Sequence, residues 1–359
     1  MSFFSTFLDL LELPKVAAPY ILHPLTAAET FFPHMQPISW FANQVPFVPE
    51  NDVESLAGKV ILVTGGNAGL GQETVYQLAR HGPAKIYLTA RSRQKYEDAI
   101  KQIRQRLHDS GIELQTELEY LQLDLSDAAS INNAAHEVLS GPENRLDILI
   151  LNAGIMATPP SRTAAGYDLQ LGTNHIGHFV LTKLLLSLLE HTAASVPGAD
   201  VRVVTVSSEA YHIAPSNFLD LIEDQEKLCR SRPYTRYGVS KTANILFAAE
   251  LARRCNSKNI LSVSLHPGLI MTGLYAHTKD ANLLVKYSLQ PVANLVFDDV
   301  AHGALSQIWC AAGAKRDELV NGAYYTPVGR RRAIALVDDA DAATMVWEWT
   351  EKQASILLG

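Results

Sequence analysis

Apolar and polar positions follow a repeating strand-then-helix order from residue 59 onward. Short apolar runs predict buried strands at 59–63, 85–90, 119–123, 147–151, 201–206, 260–265 and 322–326. Longer stretches with helical spacing predict helices just after residue 71 and at 94–108, 127–139, 169–189, 237–254, 299–312 and 338–354. Strands that alternate with helices favour a parallel sheet covered on both faces. We therefore predict an α/β fold: one doubly wound domain with a seven-stranded parallel sheet.

Residues 1–54 differ in composition from the rest and are predicted to form an irregular apolar extension to a domain that spans 55–359. They are rich in Phe, Pro and Leu, and the stretch 30–49 carries no charge. Pro33 and Pro37 within that stretch exclude a membrane-spanning helix. Three interpretations stay open: extra core packed on the domain, an apolar flap near a substrate, or a weak contact with a membrane surface.

Charge and cysteine content narrow the function classes. The 30 Lys and Arg residues are outnumbered by 37 Asp and Glu, and no long basic run occurs, which argues against a nucleic-acid partner. Cys229, Cys255 and Cys310 are far apart, so neither a disulfide framework nor a zinc site is expected. His175 and His178 lack a third ligand and are expected to pack in the core. Without a secretory signal, the chain is expected to be cytoplasmic, with membrane association through its N-terminal extension left open.

A glycine-rich turn joins the first predicted strand to the first helix. Gly65, Gly69 and Gly71 are spaced G-x-x-x-G-x-G, which differs from the commoner G-x-G-x-x-G dinucleotide fingerprint. Backbone N–H groups and the positive end of the helix dipole converge at such a turn, so it can bind a pyrophosphate. A glycine turn without a ligand is the alternative. Doubly wound (Rossmann) sheets bind ligands at the carboxyl ends of their strands. The other candidates lie at such ends, and they are Arg91, Asp124, Asn152, Ser208 and the run 266–268.

Tyr237 and Lys241 lie one helical turn apart on the same predicted helix face. The free pKa of a tyrosine is about 10, and lowering it to about 7 needs on the order of 4 kcal/mol of differential stabilisation. A neighbouring ammonium group and a bound oxidised nicotinamide can share that stabilisation. Tyr275 and Lys279 have the same spacing in a loop-like region, which we interpret as chance.

Several short motifs occur along the chain in an order that is more specific than any one of them. They are TGGNAGLG at 64–71, NAG at 152–154, TNH at 173–175, VSS at 206–208, Y-x-x-x-K at 237–241 and HPG at 266–268. Together they closely resemble the short-chain dehydrogenase/reductase family. The stretches TNHIGHFVLT and YGVSKTANILFAAELARR are most similar to its retinol-dehydrogenase and WW-domain-oxidoreductase branch. The resemblance covers residues 56–326 and leaves the N-terminal extension unexplained.

The resemblance implies an enzyme that transfers hydride between a nicotinamide cofactor and a carbonyl or alcohol. Tyr237 would be the general acid/base, and Lys241 would lower the pKa of Tyr237 and hold the nicotinamide ribose. Ser208 would hydrogen-bond the substrate oxygen, and Asn174 would position a water in a proton relay to Lys241. The implied cofactor contacts are Gly65, Asn67, Gly69, Leu70, Gly71, Arg91, Asp124 (adenine), Leu125, Asn152, Ala153, Gly154, Tyr237, Lys241, Pro267, Gly268, and Ile270 and Thr272 (nicotinamide amide).

Charge at the end of the second predicted strand argues for NADP(H). A carboxylate at this position binds the ribose 2′-hydroxyl of NAD, whereas an arginine accommodates the 2′-phosphate of NADP. Here the strand ends in Arg91. Arg93 and Lys95 follow closely, and no acidic residue lies at this strand end. We predict that Arg91 and Asn67 lie near the phosphate. A solvated basic turn is the alternative.

Segments 157–167, 211–233 and 274–291 are predicted to form the walls of the substrate pocket. They contain Tyr211 and Leu289 among other apolar residues, so the expected substrate is a small apolar ketone or aldehyde, or the corresponding alcohol. Two other functions stay open: a non-redox reaction in the same pocket, and a non-catalytic NADP(H)-binding scaffold. Related proteins pair through the helices that correspond to 169–189 and 237–254, and the sequence leaves open whether this chain is a homodimer.

Overall fold

The computed structural model of the chain describes residues 47–268, 270 and 299–359. Most of the predicted N-terminal extension, together with Thr272 and the predicted pocket segment 274–291, lies outside the described residues. The described part begins with a short helix, α1 (Pro49–Asp52), just before the predicted domain boundary. The residues that follow it, Val53 and Leu56, are buried among the side chains of the domain core.

An eight-stranded sheet forms the centre of the described chain. Its strands are β1 (Val60–Val63), β2 (Lys85–Ala90), β3 (Glu117–Gln122), β4 (Ile148–Leu151), β5 (Val201–Val206), β6 (Ile260–Leu265), β7 (Tyr324–Thr326) and β8 (Arg330–Arg332). They are arranged in the order β3-β2-β1-β4-β5-β6-β7-β8. The first seven strands pair in parallel, which confirms the predicted doubly wound fold. The strand order reverses between β1 and β4, the point at which such sheets bind ligands.

The observed sheet has one strand more than the seven parallel strands that were predicted. The additional strand, β8, pairs antiparallel with β7 at the edge of the sheet. It consists of Arg330–Arg332, three charged residues without any alternation of apolar and polar positions. An edge strand meets solvent on its open side, and charged side chains there discourage pairing with other chains. The apolar pattern therefore could not reveal β8, which depends on backbone pairing after the turn at Gly329 (φ 70°).

Helices cover both faces of the sheet. They are α2 (Gly69–Ala79), α3 (Arg93–Asp109), α4 (Ala128–Leu139), α5 (Leu169–Leu171), α6 (Gly177–Ser195), α7 (Phe218–Glu223), α8 (Gln225–Arg230), α9 (Pro233–Arg254), α10 (Val300–Ile308), α11 (Ala335–Asp338) and α12 (Ala340–Leu358). A π-helical turn, Gly172–Ile176, joins α5 to α6 and interrupts the predicted helix 169–189. Helix α9 begins one turn before the predicted position 237, at Pro233, because proline is favoured in the first turn of a helix.

Alternate strand residues face opposite helix layers. Leu62 and Leu149 pack in the layer that contains α4, α6, α9 and α12. Ile61 and Ile150 pack in the layer that contains α2, α3 and α10. All four are fully buried, as expected for apolar strands covered on both faces. The carboxyl ends of β1, β4, β5 and β6 meet at one edge of this sandwich.

The C-terminal helix α12 covers α6 and α9 on their side away from the sheet. Trp347 stacks on Phe247 with ring centroids 5.8 Å apart and packs edge-on against Phe179 at 4.8 Å. Thr350 Oγ1 is hydrogen-bonded to His175 Nε2 at 2.9 Å. Part of the surface of these two apolar helices is therefore covered by the C-terminal helix of their own chain.

None of the helices within residues 47–268 and 299–359 combines the length and the hydropathy that a membrane crossing requires.

Candidate active site

A cavity of about 850 Å³ opens at the carboxyl ends of the central strands. It is lined by residues of the glycine turn, the ends of β2, β4, β5 and β6, and the first turns of α9. Most of the predicted site residues line it, namely Gly65, Asn67, Gly69, Leu70, Arg91, Asp124, Leu125, Asn152, Ala153, Gly154, Ser208, Tyr237, Lys241, Pro267, Gly268 and Ile270. Gly71 and Asn174 are not among the lining residues, and Thr272 is outside the described residues.

The glycine turn has no room for a side chain at Gly71. A Cβ on Gly71 would lie 2.3 Å from the carbonyl oxygen of Gly65 and 2.6 Å from Asn152 Nδ2. Gly65 itself adopts a positive φ of 65°, and its N–H donates to Thr89 Oγ1 at 2.9 Å. The turn is therefore packed tightly against β2 and β4, and only glycine at these positions permits that packing.

Helix α2 directs its N-terminus at the cavity. It begins at Gly69, no side chain of the described residues caps it, and no acidic residue lies in its first turn. Uncapped N–H groups and the positive end of the helix dipole favour an anionic group at this point. The glycine turn and the N-terminus of α2 therefore fit the pyrophosphate of a dinucleotide.

Thr64 connects the glycine turn to β4. Asn152 Nδ2 donates to the Thr64 carbonyl at 2.8 Å, and the Ala153 N–H donates to Thr64 Oγ1 at 3.0 Å. These bonds satisfy polar groups at the strand ends, where the sheet no longer pairs them. They hold the Asn-Ala-Gly turn beside the glycine turn, so the two motifs form one wall of the cavity.

Tyr237 and Lys241 face the same part of the cavity from α9. The Lys241 Nζ atom lies 5.6 Å from the centroid of the Tyr237 ring and donates to the Val206 carbonyl at 2.8 Å. Tyr237 is 5% exposed and Lys241 3%. Burial lowers the pKa of Lys241 to about 7, because the charged ammonium loses its hydration. The lysine can therefore change protonation state near neutral pH.

The two serines that follow β5 have different surroundings. Ser207 Oγ donates to the Lys241 carbonyl at 2.7 Å and so ties β5 to α9. Ser208 lines the cavity, and its Oγ accepts the Ala210 N–H at 3.2 Å. The Ser208 hydroxyl hydrogen is then oriented away from Ala210 and can donate to an oxygen atom in the cavity.

Asn174 lies in the π-helical turn and is fully buried. Its Oδ1 accepts the Ile155 N–H at 2.8 Å, while its Nδ2 donates to the Ile155 carbonyl and to Ser240 Oγ, both at 3.0 Å. Both amide hydrogens are thus used within the protein. A water bound to this side chain would have to donate to Oδ1, since no amide hydrogen is left for it. π-Helical turns often occur at functional sites, which agrees with the location of Asn174.

The far end of the cavity is basic. Arg91 and Lys95 line it, whereas the guanidinium of Arg93 lies 5.0 Å from the centroid of the Tyr120 ring. The described lining contains one acidic side chain, Asp124, whose Oδ1 accepts the hydroxyl hydrogen of the neighbouring Ser126 at 2.6 Å. No carboxylate of the described lining follows β2, in agreement with the sequence.

An internal ion pair supports the substrate side of the cavity and carried no sequence signal. Arg236 Nη1 lies 3.0 Å from Asp168 Oδ2, and both side chains are fully buried. Arg236 also donates to the carbonyls of Thr158 and Ser231 at 2.5 and 3.2 Å. It thereby joins segments 157–167 and 211–233, the two described stretches predicted as pocket walls. The first contributes Thr158, Pro159 and Ser161 to the described lining, and the second contributes no residue to it.

Known proteins resemble this chain over most of its length. Residues 59–218 match the family model for short chain dehydrogenases. A short-chain dehydrogenase/reductase from Armillaria gallica is 40% identical over 84% of this chain and 92% of its own length. Human retinol dehydrogenase 14 is 36% identical over 84% of this chain and 87% of its own. The NADPH-bound carbonyl reductase from chicken fatty liver has a similar fold, with a TM-score of 0.57 at 21% identity over 81% of this chain and 100% of that one.

Identity at this level over most of both chains is a family relationship, and the chain belongs to the short-chain dehydrogenase/reductase family. Its kinship with retinol dehydrogenase 14 puts it in the retinol-dehydrogenase-like branch, which confirms the resemblance carried by the sequence motifs. The members of this family are oxidoreductases that bind a nicotinamide cofactor.

Proposed function

We propose that this chain transfers hydride between NADPH and a small apolar ketone or aldehyde, with Tyr237 as the general acid/base. The observation that supports this most is the meeting of Tyr237, Lys241 and Ser208 at one cavity beside an uncapped helix N-terminus. NADPH, when bound, supplies the hydride. The side chains of this protein bind both reactants and deliver the proton.

The proton chemistry follows from the donors in the cavity. As a carbonyl is reduced, negative charge develops on its oxygen, and the Ser208 hydroxyl is placed to donate a hydrogen bond there. Tyr237 gives up its phenolic proton to the same oxygen. A protonated Lys241, whose Nζ lies beside the Tyr237 ring, stabilises the resulting phenolate. The Val206 carbonyl holds Lys241 in that position.

The substrate side of the cavity is largely apolar. Ile155, Met156, Pro159 and Leu169 line it, with Ser161 among the polar residues nearby. Contact between such a surface and a hydrocarbon group is favourable because both are removed from water, and the surface offers few hydrogen-bond partners to a polar substrate. This composition supports an apolar carbonyl compound. The reductive direction is proposed because cells keep the NADP pool mostly reduced.

Exchanging Arg91 for Asp should change the cofactor preference. We expect Arg91→Asp to weaken NADPH binding about 30-fold, the loss of roughly 2 kcal/mol of charge-assisted hydrogen bonding to the 2′-phosphate. NADH should bind to Arg91→Asp as tightly as to the wild type, or more tightly. Arg93→Asp is the matched control, since the Arg93 guanidinium lies against the Tyr120 ring. Fluorescence titration of both cofactors measures the change, and equal NADPH affinity in the two variants would contradict the role of Arg91.

Cofactor binding should be accompanied by proton uptake at pH 8. The pKa of Lys241 is lowered to about 7 by burial, so most of this side chain is neutral at pH 8 before binding. Ribose oxygens and the negative charge of the cofactor favour the ammonium form, so binding raises the pKa and takes up as much as about one proton. Calorimetric titration in two buffers of different ionisation enthalpy measures this uptake. It should vanish in Lys241→Met; an unchanged uptake would assign it to another group.

The proposed activity is tested with a panel of apolar ketones, aldehydes and secondary alcohols. Loss of NADPH absorbance that matches product formation is the expected result. Product formation at constant NADPH absorbance would indicate a non-redox reaction, and NADPH binding without any turnover would indicate a non-catalytic scaffold.

A further inference from the structure

A buried histidine, His178, lies between Thr64, which precedes the glycine turn, and Asn174. His178 is 2% exposed and lies on α6, one turn after Asn174. Its Nδ1 atom is 2.9 Å from the Asn174 carbonyl oxygen, and its Nε2 atom is 2.9 Å from Thr64 Oγ1. Both ring nitrogens are therefore engaged, one with Thr64 and one with Asn174.

The partners of His178 fix its tautomer. A carbonyl oxygen only accepts, so Nδ1 carries a hydrogen and donates it to Asn174. Burial lowers the pKa of His178 to about 3, and the ring is neutral at physiological pH. Its Nε2 is then an acceptor, and the Thr64 hydroxyl donates to it, in preference to the Ile150 carbonyl 3.3 Å away. The bond direction thus runs from Thr64 through His178 to Asn174.

The chain of hydrogen bonds continues at both ends. Thr64 holds the Ala153 N–H, next to the glycine turn. Asn174 donates to Ser240 Oγ, which in turn donates to the Tyr237 carbonyl at 2.7 Å. Hydrogen bonds of 3.0 Å or less therefore link Thr64, next to the glycine turn, to the carbonyl of Tyr237, with Asn174 bonded to His178 through its backbone carbonyl and to Ser240 through its side chain.

His175, three residues earlier, is a contrasting case. It is equally buried, but its Nε2 is bonded to Thr350 on α12, away from the cavity. It packs against Phe179 and Phe247. His175 thus bonds to α12 and, through a side-chain hydrogen bond, to Asn244 of α9, whereas His178 bonds to Thr64 and to the Asn174 carbonyl.

We propose that His178 is a positioning residue that couples the glycine turn, where the cofactor binds, to the turn of α9 that presents Tyr237 and Lys241. This inference rests on the proposed function. Cofactor binding at the glycine turn steadies Thr64, and His178 passes that restraint to Asn174 and Ser240. Tyr237 is thereby held in place when the cofactor is present.

The test compares His178→Phe with His175→Phe. Each replaces a buried imidazole by an apolar ring and removes one histidine's hydrogen bonds. We expect His178→Phe to lower kcat roughly tenfold more than His175→Phe at matched melting temperatures, since small misplacements of reacting groups are costly. His178→Gln, which keeps a donor and an acceptor, should restore most of the loss. Equal kcat in the two Phe variants would overturn the proposal.

Two further measurements separate coupling from general packing. Ser240→Ala breaks the same series of hydrogen bonds at its other end. The double variant with His178→Phe should therefore lose no more kcat than the more impaired single variant. Fully additive losses of kcat would overturn the proposed route. NADPH should slow amide exchange at residues 237–241 in the wild type and in His175→Phe but not in His178→Phe. This readout needs no turnover. A wild type that binds NADPH and shows this protection without activity would refute the proposed function and leave the coupling supported.

Discussion

Replacing Tyr237 by Phe is expected to lower kcat about 10³-fold, within the range that general acid–base catalysis contributes. The variant keeps the ring beside Lys241 and removes only the hydroxyl that delivers the proton. NADPH affinity should stay within about threefold of the wild type, because the glycine turn and the basic end of the cavity are unchanged. Stopped-assay kinetics and a fluorescence titration on the same sample measure both quantities.

The matched control for this prediction is Tyr76→Phe. Tyr76 is also a buried tyrosine on a helix, but its hydroxyl is bonded to Ser110 on the opposite side of the sheet. It should leave kcat unchanged. Near wild-type turnover in Tyr237→Phe would remove the phenol from the mechanism, whatever the fit of the cofactor.

Gly71→Ala should nearly abolish cofactor binding. The added methyl group would lie 2.3 Å from the Gly65 carbonyl oxygen, a backbone atom that cannot rotate away. The turn must open to relieve this overlap, and its N–H groups then lose their alignment with the pyrophosphate. We expect the Kd for NADPH to rise roughly 100-fold, equivalent to about 2.7 kcal/mol.

The adjacent position supplies the control for Gly71→Ala. Gln72 is the next residue of α2, and its side chain reaches Gln102 at the protein surface. Gln72→Ala should bind NADPH like the wild type. Circular dichroism of both variants tests that α2 remains folded, and unchanged NADPH affinity in a folded Gly71→Ala would show that the turn does not hold the pyrophosphate.

Local patterns were sufficient for most of the fold. The central strands β1, β4, β5 and β6 are buried at every position, and their nearly continuous apolar runs predict that burial. The outer strand β3 is the exception, since three of its six residues are Glu or Gln and it is partly exposed. The glycine turn was equally clear, since Gly65 and Gly71 meet steric demands that no other residue satisfies. The spacing of Tyr237 and Lys241 was enough to predict that both side chains lie on one helix face, because this depends only on helix geometry.

The sequence could not predict the contacts that depend on distant partners. His178 meets Thr64 across 114 residues, and Arg236 meets Asp168 across 68, and neither pair has a local signature. A buried histidine or arginine gives the same pattern whether it faces a site or only fills the core. The roles of such residues therefore emerge only when the strands and helices have been assembled.

The aromatic contacts of α12 have a consequence for quaternary structure. Trp347 and Thr350 occupy the outward surfaces of Phe247 and His175. A second copy of the chain that packed on Phe247 and His175 would have to displace this terminal helix, which would first expose large apolar rings to water. The last helix therefore competes with any second subunit for this part of the surface of α6 and α9.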